Sequence, residues 1–96
     1  MSTWSRSKGL AMADAGTKTV DVEYFAQLRE QAGIGRESVR TRVDTVAALY
    51  AERRACHGFT LLPSQLKVAV NAAFVDWGSE IRDGDVIVFV PPVAGG

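Results

Sequence analysis

Reactive side chains are scarce in this chain of 96 residues: it has one cysteine, Cys56, and one histidine, His57, and they are adjacent. A single cysteine excludes an internal disulfide framework and any zinc site built on several thiolates. Neighbouring helix residues point about 100° apart, so the pair is not read as a nucleophile and its base. The expectation is a small buried thiol and a helix-terminal imidazole at the negative end of the dipole. An excess of either charge is also missing, since eleven Lys and Arg balance eleven Asp and Glu. No basic stripe interleaves with aromatics, so neither nucleic acid nor an anionic membrane is indicated as a partner. No stretch approaches the roughly 18 apolar residues of a membrane span. Residues 1–16 carry Arg6 and Lys8 but lack the apolar segment of a secretory signal, and the expected location is cytoplasmic. Their Ser, Gly, Ala and Lys content predicts a disordered arm, with Met12 as an alternative start. Residues 17–96 remain as one domain, large enough to bury a core without staples.

The periodic sequence begins near Thr17. Val20, Val22 and Tyr24 alternate with Asp21 and Glu23, the period of a strand with one wet face. From Phe25 to Ala32 helix formers take over, stopped by Gly33 and Gly35. Val39, Thr41 and Val43 share one face of a second strand, expected antiparallel to the first across a short connection. Asp44 or Thr45 can cap the helix that follows. Val46, Leu49 and Tyr50, with Cys56 seven after Leu49, mark its apolar side, and Glu52, Arg53 and Arg54 its wet side. Gly58 closes it. Leu66, Val68 and Val70 alternate in a third strand, Asn71 to Ala73 reads as a turn, and Phe74 to Trp77 as a short extended piece. Asp83-Gly84-Asp85 is a tight-turn signal. Val86 to Val90 is apolar throughout, which predicts a central strand buried on both faces. The result is an α+β domain: a mixed sheet of four or five strands with one main helix on one face.

The chain then ends in Pro91-Pro92-Val93-Ala94-Gly95-Gly96. The prolines hold the backbone extended, and the terminal glycines, lacking Cβ, can thread a narrow channel. From Pro92 to Gly96 the reach is at most roughly 17 Å, enough to enter another protein's cleft while the body stays outside. A bare α-carboxylate is ionised and inert as an acyl donor. Using Gly96 chemically therefore requires activation, and adenylation by ATP followed by attack of a sulfur nucleophile is the expected route. No acid–base constellation accompanies the tail.

Taken together, Tyr24-Phe25-Ala26-Gln27-Leu28-Arg29-Glu30, Val70-Asn71, Asp83-Gly84-Asp85 and the final Pro-Pro-Val-Ala-Gly-Gly resemble the small subunits of molybdopterin synthase, the sulfur carriers of molybdenum-cofactor biosynthesis. The resemblance spans residues 17–96 and implies the ubiquitin-like β-grasp fold. It implies that Gly96 is adenylated by an ATP-dependent activating enzyme. A sulfurtransferase or cysteine desulfurase system would then convert it to a thiocarboxylate. Pro92, Val93, Ala94 and Gly95 would carry it into the synthase large subunit, where its sulfur attacks a cyclic pyranopterin precursor. The chain would be the non-catalytic, sulfur-donating subunit of a sulfurtransferase, in an assembly of two small and two large subunits, binding no metal or cofactor of its own. Phe25, Arg29 and Phe74 carry over as partner-binding residues, with core packing the competing reading for both phenylalanines and a solvated surface position for Arg29. Rival readings within the fold are Gly-Gly sulfur carriers for thiamine or cysteine synthesis. Outside that class stand a ubiquitin-like protein modifier and a plain interaction domain with an idle tail.

Overall fold

The structure, a computed structural model, describes residues 16–92. The arm as far as Ala15 and the tail residues Val93, Ala94, Gly95 and Gly96 lie outside them. In chain order the elements are β1 (Lys18–Tyr24), α1 (Ala26–Ala32), β2 (Arg36–Thr41), α2 (Val46–His57), a 3-10 turn (Pro63–Gln65), β3 (Lys67–Val70), β4 (Ala73–Val75) and β5 (Val86–Val90). The strands form one mixed sheet in the order β2-β1-β5-β3-β4. The central pair, β1 and β5, is parallel, with Val22 beside Ile87 and Tyr24 beside Phe89, and every other pairing is antiparallel.

Alternation sets one face of this sheet against α2. Val20, Val22 and Tyr24 of β1, Val39 of β2, Val68 of β3 and Ile87 and Phe89 of β5 meet Val46, Leu49 and Tyr50 of the helix, all nearly inaccessible. Burying each such side chain contributes about 1.5–3 kcal/mol. An aromatic ladder runs through the layer. Trp77 stacks on Phe89 (centroids 5.9 Å apart), Phe89 packs on Tyr50, and Tyr50 stacks on Phe59. The Tyr50 hydroxyl, sealed in with them, donates to the Leu61 carbonyl at 2.8 Å. Trp77, to which the sequence assigned no role, thus covers the end of the core, and its carbonyl accepts from Ala47 N–H.

Of the two candidate caps for α2, Thr45 is the one used: its hydroxyl accepts from Ala48 N–H at 3.2 Å. Asp44 instead pairs with Lys18. Gly58 ends the helix at φ +73°, its N–H on the Arg54 carbonyl, a left-handed position where a Cβ would be strained. Two expectations need correction. Cys56 is exposed, because the inward stripe of α2 runs 46, 49, 50, 53 and 57, and Cys56 falls beside it. For the same reason Arg53 and His57 turn inward, each with a side chain only 15% exposed. The second concerns β5, which is central but fully buried on one face only. Ile87 and Phe89 are sealed, whereas Val86, Val88 and Val90 are half-buried. The lone main helix covers one side of the sheet and leaves the other open. Val43 lies just past β2 but still packs against the core.

Candidate functional site

Two features meet on the open side: an apolar strip across the sheet and the root of the tail. Pairing carries one row across four strand boundaries, from Phe74 of β4 through Ala69 of β3, Val88 of β5 and Glu23 of β1 to Arg36 of β2. Its β4–β5 half is apolar and ends in Phe74, which is 68% exposed. Its β1–β2 half is charged, with Arg36 bonded to Asp21 at 3.0 Å and reaching Glu23 at 3.5 Å. Lys67, beside Val90, stands exposed on the same face. Core packing is therefore excluded for Phe74. The aromatic stands out because β4 is a short edge strand reached through a two-residue turn, Asn71-Ala72, whose φ angles of +51° and +73° are those of a type I′ hairpin.

The tail root lies at the end of β5. Pro91 is buried against the body and Pro92 is exposed. Beside it opens a groove of about 770 Å³ walled by Phe25, Gln27, Glu30, Val90, Pro91 and Pro92. Phe25 is 47% exposed, which excludes core packing here too. It caps α1 in extended conformation with no side-chain cap bond, and Ala26 after it has φ +51°. Arg29 is exposed on the other flank of α1, its side chain lying over Gly35, where a Cβ would come within 3.3 Å of its Nε. Of the expected tail residues only Pro92 is described; Val93, Ala94, Gly95 and Gly96 lie outside the described residues.

The Arg82–Asp85 turn is built as its residues predict. Asp85 accepts from Arg82 N–H and Asn71 Nδ2, Asp83 accepts from Thr19 N–H, and Gly84 has positive φ. These carboxylates are used locally. Among the described residues no group of three or more His, Cys, Asp or Glu side chains could hold a metal ion. No helix among them is long and apolar enough to cross a membrane.

One polar cluster was not foreseen. Glu37 Oε2 accepts from the Tyr24 hydroxyl at 2.5 Å, contacts His57 Nε2 at 2.6 Å and lies 3.5 Å from Arg53. It ties β1, β2 and the last turn of α2 together. Burial pushes the Glu37 carboxyl up, but the Tyr24 and His57 hydrogen bonds and the His57 and Arg53 charges outweigh it and hold it below its usual range. Burial, then the bond to Glu37 and its charge, push the Tyr24 phenol well above its usual value. The signal was present in the sequence: Arg53 and His57, four apart, continue the 46-49-50 stripe. Residue type, being polar, masked the spacing.

Comparison with known proteins agrees with this geometry. The ThiS family model matches residues 22–96. The Escherichia coli molybdopterin synthase sulfur carrier subunit is 35% identical over 80 residues, covering 80% of this chain and 99% of that one. SAMP1 of Haloferax volcanii superposes with a TM-score of 0.69 at 26% identity, covering 81% of this chain and 99% of the other. In a Helicobacter pylori complex of subunits 1 and 2 of molybdopterin-converting factor, the matching chain superposes with a TM-score of 0.57 at 26% identity, covering 81% and 99%. The fold is the ubiquitin-like β-grasp, as the resemblance of the motifs implied. With most of its length matched, this chain belongs to the ThiS family.

Proposed function

We propose that this chain is a sulfur carrier that delivers sulfur from the carbonyl carbon of Gly96 to a pterin precursor held by a larger synthase subunit. The carboxylate attacks the α-phosphorus of ATP in an activating enzyme, releasing pyrophosphate and leaving a glycyl adenylate. Sulfide-level sulfur from a sulfurtransferase or cysteine desulfurase system then attacks the carbonyl, expels AMP and leaves a thiocarboxylate. That sulfur attacks a carbon of the cyclic pyranopterin precursor, water then cleaves the resulting thioester and restores the Gly96 carboxylate, and two such transfers build the dithiolene that holds molybdenum. Every acid–base group beyond the tail is supplied by the partners.

The observation that carries this reading is the exit of the chain at Pro91-Pro92. The central strand β5 ends there, between the apolar strip and the Phe25 groove, so a partner can grip the body while taking the tail. Phe25 walls the groove beside that exit and Phe74 ends the apolar strip, both exposed, and a partner that covers two phenylalanines gains apolar anchors; Arg29 is exposed on the other flank of α1. The similarity to sulfur carrier subunits and to a subunit of a two-subunit converting factor supports the same assignment. The test is a reconstituted synthase. Deleting Gly96, or adding one residue after it, should abolish conversion of the pterin precursor while the fold is unchanged; a C-terminally extended chain that still supports synthesis untrimmed refutes the mechanism.

A second reading has its own support. SAMP1 is a small archaeal modifier protein, and the same adenylate is also an acyl donor toward a deprotonated lysine amine. High-molecular-mass adducts that vanish with Gly96 would establish conjugation.

A further inference from the structure

We infer that Pro91 and Pro92 are positioning residues that stop the two hydrogen-bond ladders of β5, one proline on each side, and so set how much chain a partner's channel can enclose; the partner half of this rests on the sulfur-carrier reading. Strand register carries the inference. β5 is central, with β1 on one side and β3 on the other, and successive residues of a strand turn their N–H groups to opposite neighbours. The Asp21 N–H bonds to the Asp85 carbonyl at 3.0 Å, and the Asn71 N–H to the Val86 carbonyl at 2.8 Å. Odd positions along β5 therefore face β1 and even positions face β3. The last partners are Tyr24 with Phe89 on one side and Lys67 with Val90 on the other. Continued in the same register, the N–H of residue 91 would meet the Phe25 carbonyl, and that of residue 92 the Gln65 carbonyl. Both positions are proline, so both donors are missing.

The groups that would have faced these donors are used otherwise. The Phe25 carbonyl accepts from the Leu28 and Arg29 N–H groups, at 3.1 and 3.4 Å, and so starts α1. The Gln65 N–H turns to the Leu62 carbonyl at 2.9 Å in the 3-10 turn. One proline can stop a strand at a sheet edge, where there is a single ladder. A central strand has two ladders and needs two prolines, in consecutive positions because consecutive residues face opposite sides. Without them β5 would lengthen, and chain held by a ladder must be peeled away before a channel can enclose it. Pro92, the exposed one of the pair, is the residue a channel would lose. Stiffening of the tail alone would create no new ladder bonds when the prolines are replaced, which separates the two roles.

The experiment uses the full chain as wild type, Pro91→Ala, Pro92→Ala, the double variant, and the double variant with one alanine inserted after residue 92. Hydrogen exchange followed by NMR reads the ladders in the free proteins. The new amides at 91 and 92 should exchange slowly, and those of Leu28 and Arg29 faster than in wild type, as the Phe25 carbonyl becomes shared. In ATP-dependent activation by the adenylating enzyme, the KM of the double variant as substrate should rise about tenfold, the cost of peeling off two ladder bonds, with kcat little changed. The inserted alanine takes the place of Pro92 outside the ladder and should return KM to within about twofold of wild type. Unprotected amides at 91 and 92, or a raised KM that the insertion does not restore, overturn the inference. Should wild type itself accept no sulfur at Gly96, the carrier reading fails in that arm alone, and amide protection in the free variants still decides whether the prolines stop the ladders.

Discussion

Removing the Glu37 carboxylate should cost this small domain much of its stability. The site is mostly enclosed: side-chain exposure is 19% for Glu37 and 15% for His57 and Arg53, and Tyr24 is 1% exposed. Two short contacts converge on one oxygen, and hydrogen bonds to charged groups are each worth about 1.5–3 kcal/mol net. In Glu37→Ala the Tyr24 hydroxyl loses its acceptor, and His57 and Arg53 lose their shared carboxylate. We expect a loss of about 2–4 kcal/mol, which for a chain of this size lowers the thermal midpoint by roughly 10–30 °C. Glu37→Gln keeps an acceptor without the charge and should lose about 1–2 kcal/mol.

The pH dependence follows from the direction of the Glu37 shift. Its folded pKa lies below the unfolded value, so its contribution is fully present above the ordinary carboxylate range and fades as pH falls through the depressed folded value. The gap between wild type and Glu37→Gln, read by urea denaturation, should thus be wide near neutrality and narrow by about pH 3. A gap below about 0.5 kcal/mol at neutrality, or one that does not narrow in acid, would refute the argument that the charged carboxylate organises this cluster.

Other predictions concern the turn and the open face. Ala72 occupies the second position of a type I′ turn at φ +73°, where glycine is favoured, so Ala72→Gly should gain about 0.5–1 kcal/mol in denaturant unfolding. Phe74→Ser removes an exposed ring from the outer face and should change stability by less than about 0.5 kcal/mol. By calorimetry with the synthase large subunit, the same change should weaken binding roughly tenfold.

Spacing made most of the fold legible. The alternation of Val20, Val22 and Tyr24 and the stripe of Val46, Leu49 and Tyr50 announced their elements because burial on one face demands those periods. What misled was residue type. Cys56 is small and apolar, so it was placed inside, although it sits one position off the stripe that Arg53 and His57 occupy. The all-apolar run of β5 implied two covered faces, but a single-layer helix covers only one, and Val88 is left half-buried. The backbone reversals at Ala26 and Ala72 carried no glycine to mark them. The candidate site was legible at its two ends, in Pro91-Pro92 and in Phe25 and Phe74. The row joining Phe74 to Arg36 depends on strand order, which requires knowing that β5 returns to the centre beside β1.

The central claim is that Gly96 carries sulfur, and intact-protein mass spectrometry tests it most directly. The chain is incubated with ATP, the adenylating enzyme and a sulfide-level sulfur source. The account predicts a mass gain equal to replacement of one oxygen by sulfur, confined to the C-terminal peptide and dependent on ATP. An unchanged mass, with an activating enzyme shown to be active on the same preparation, would contradict it.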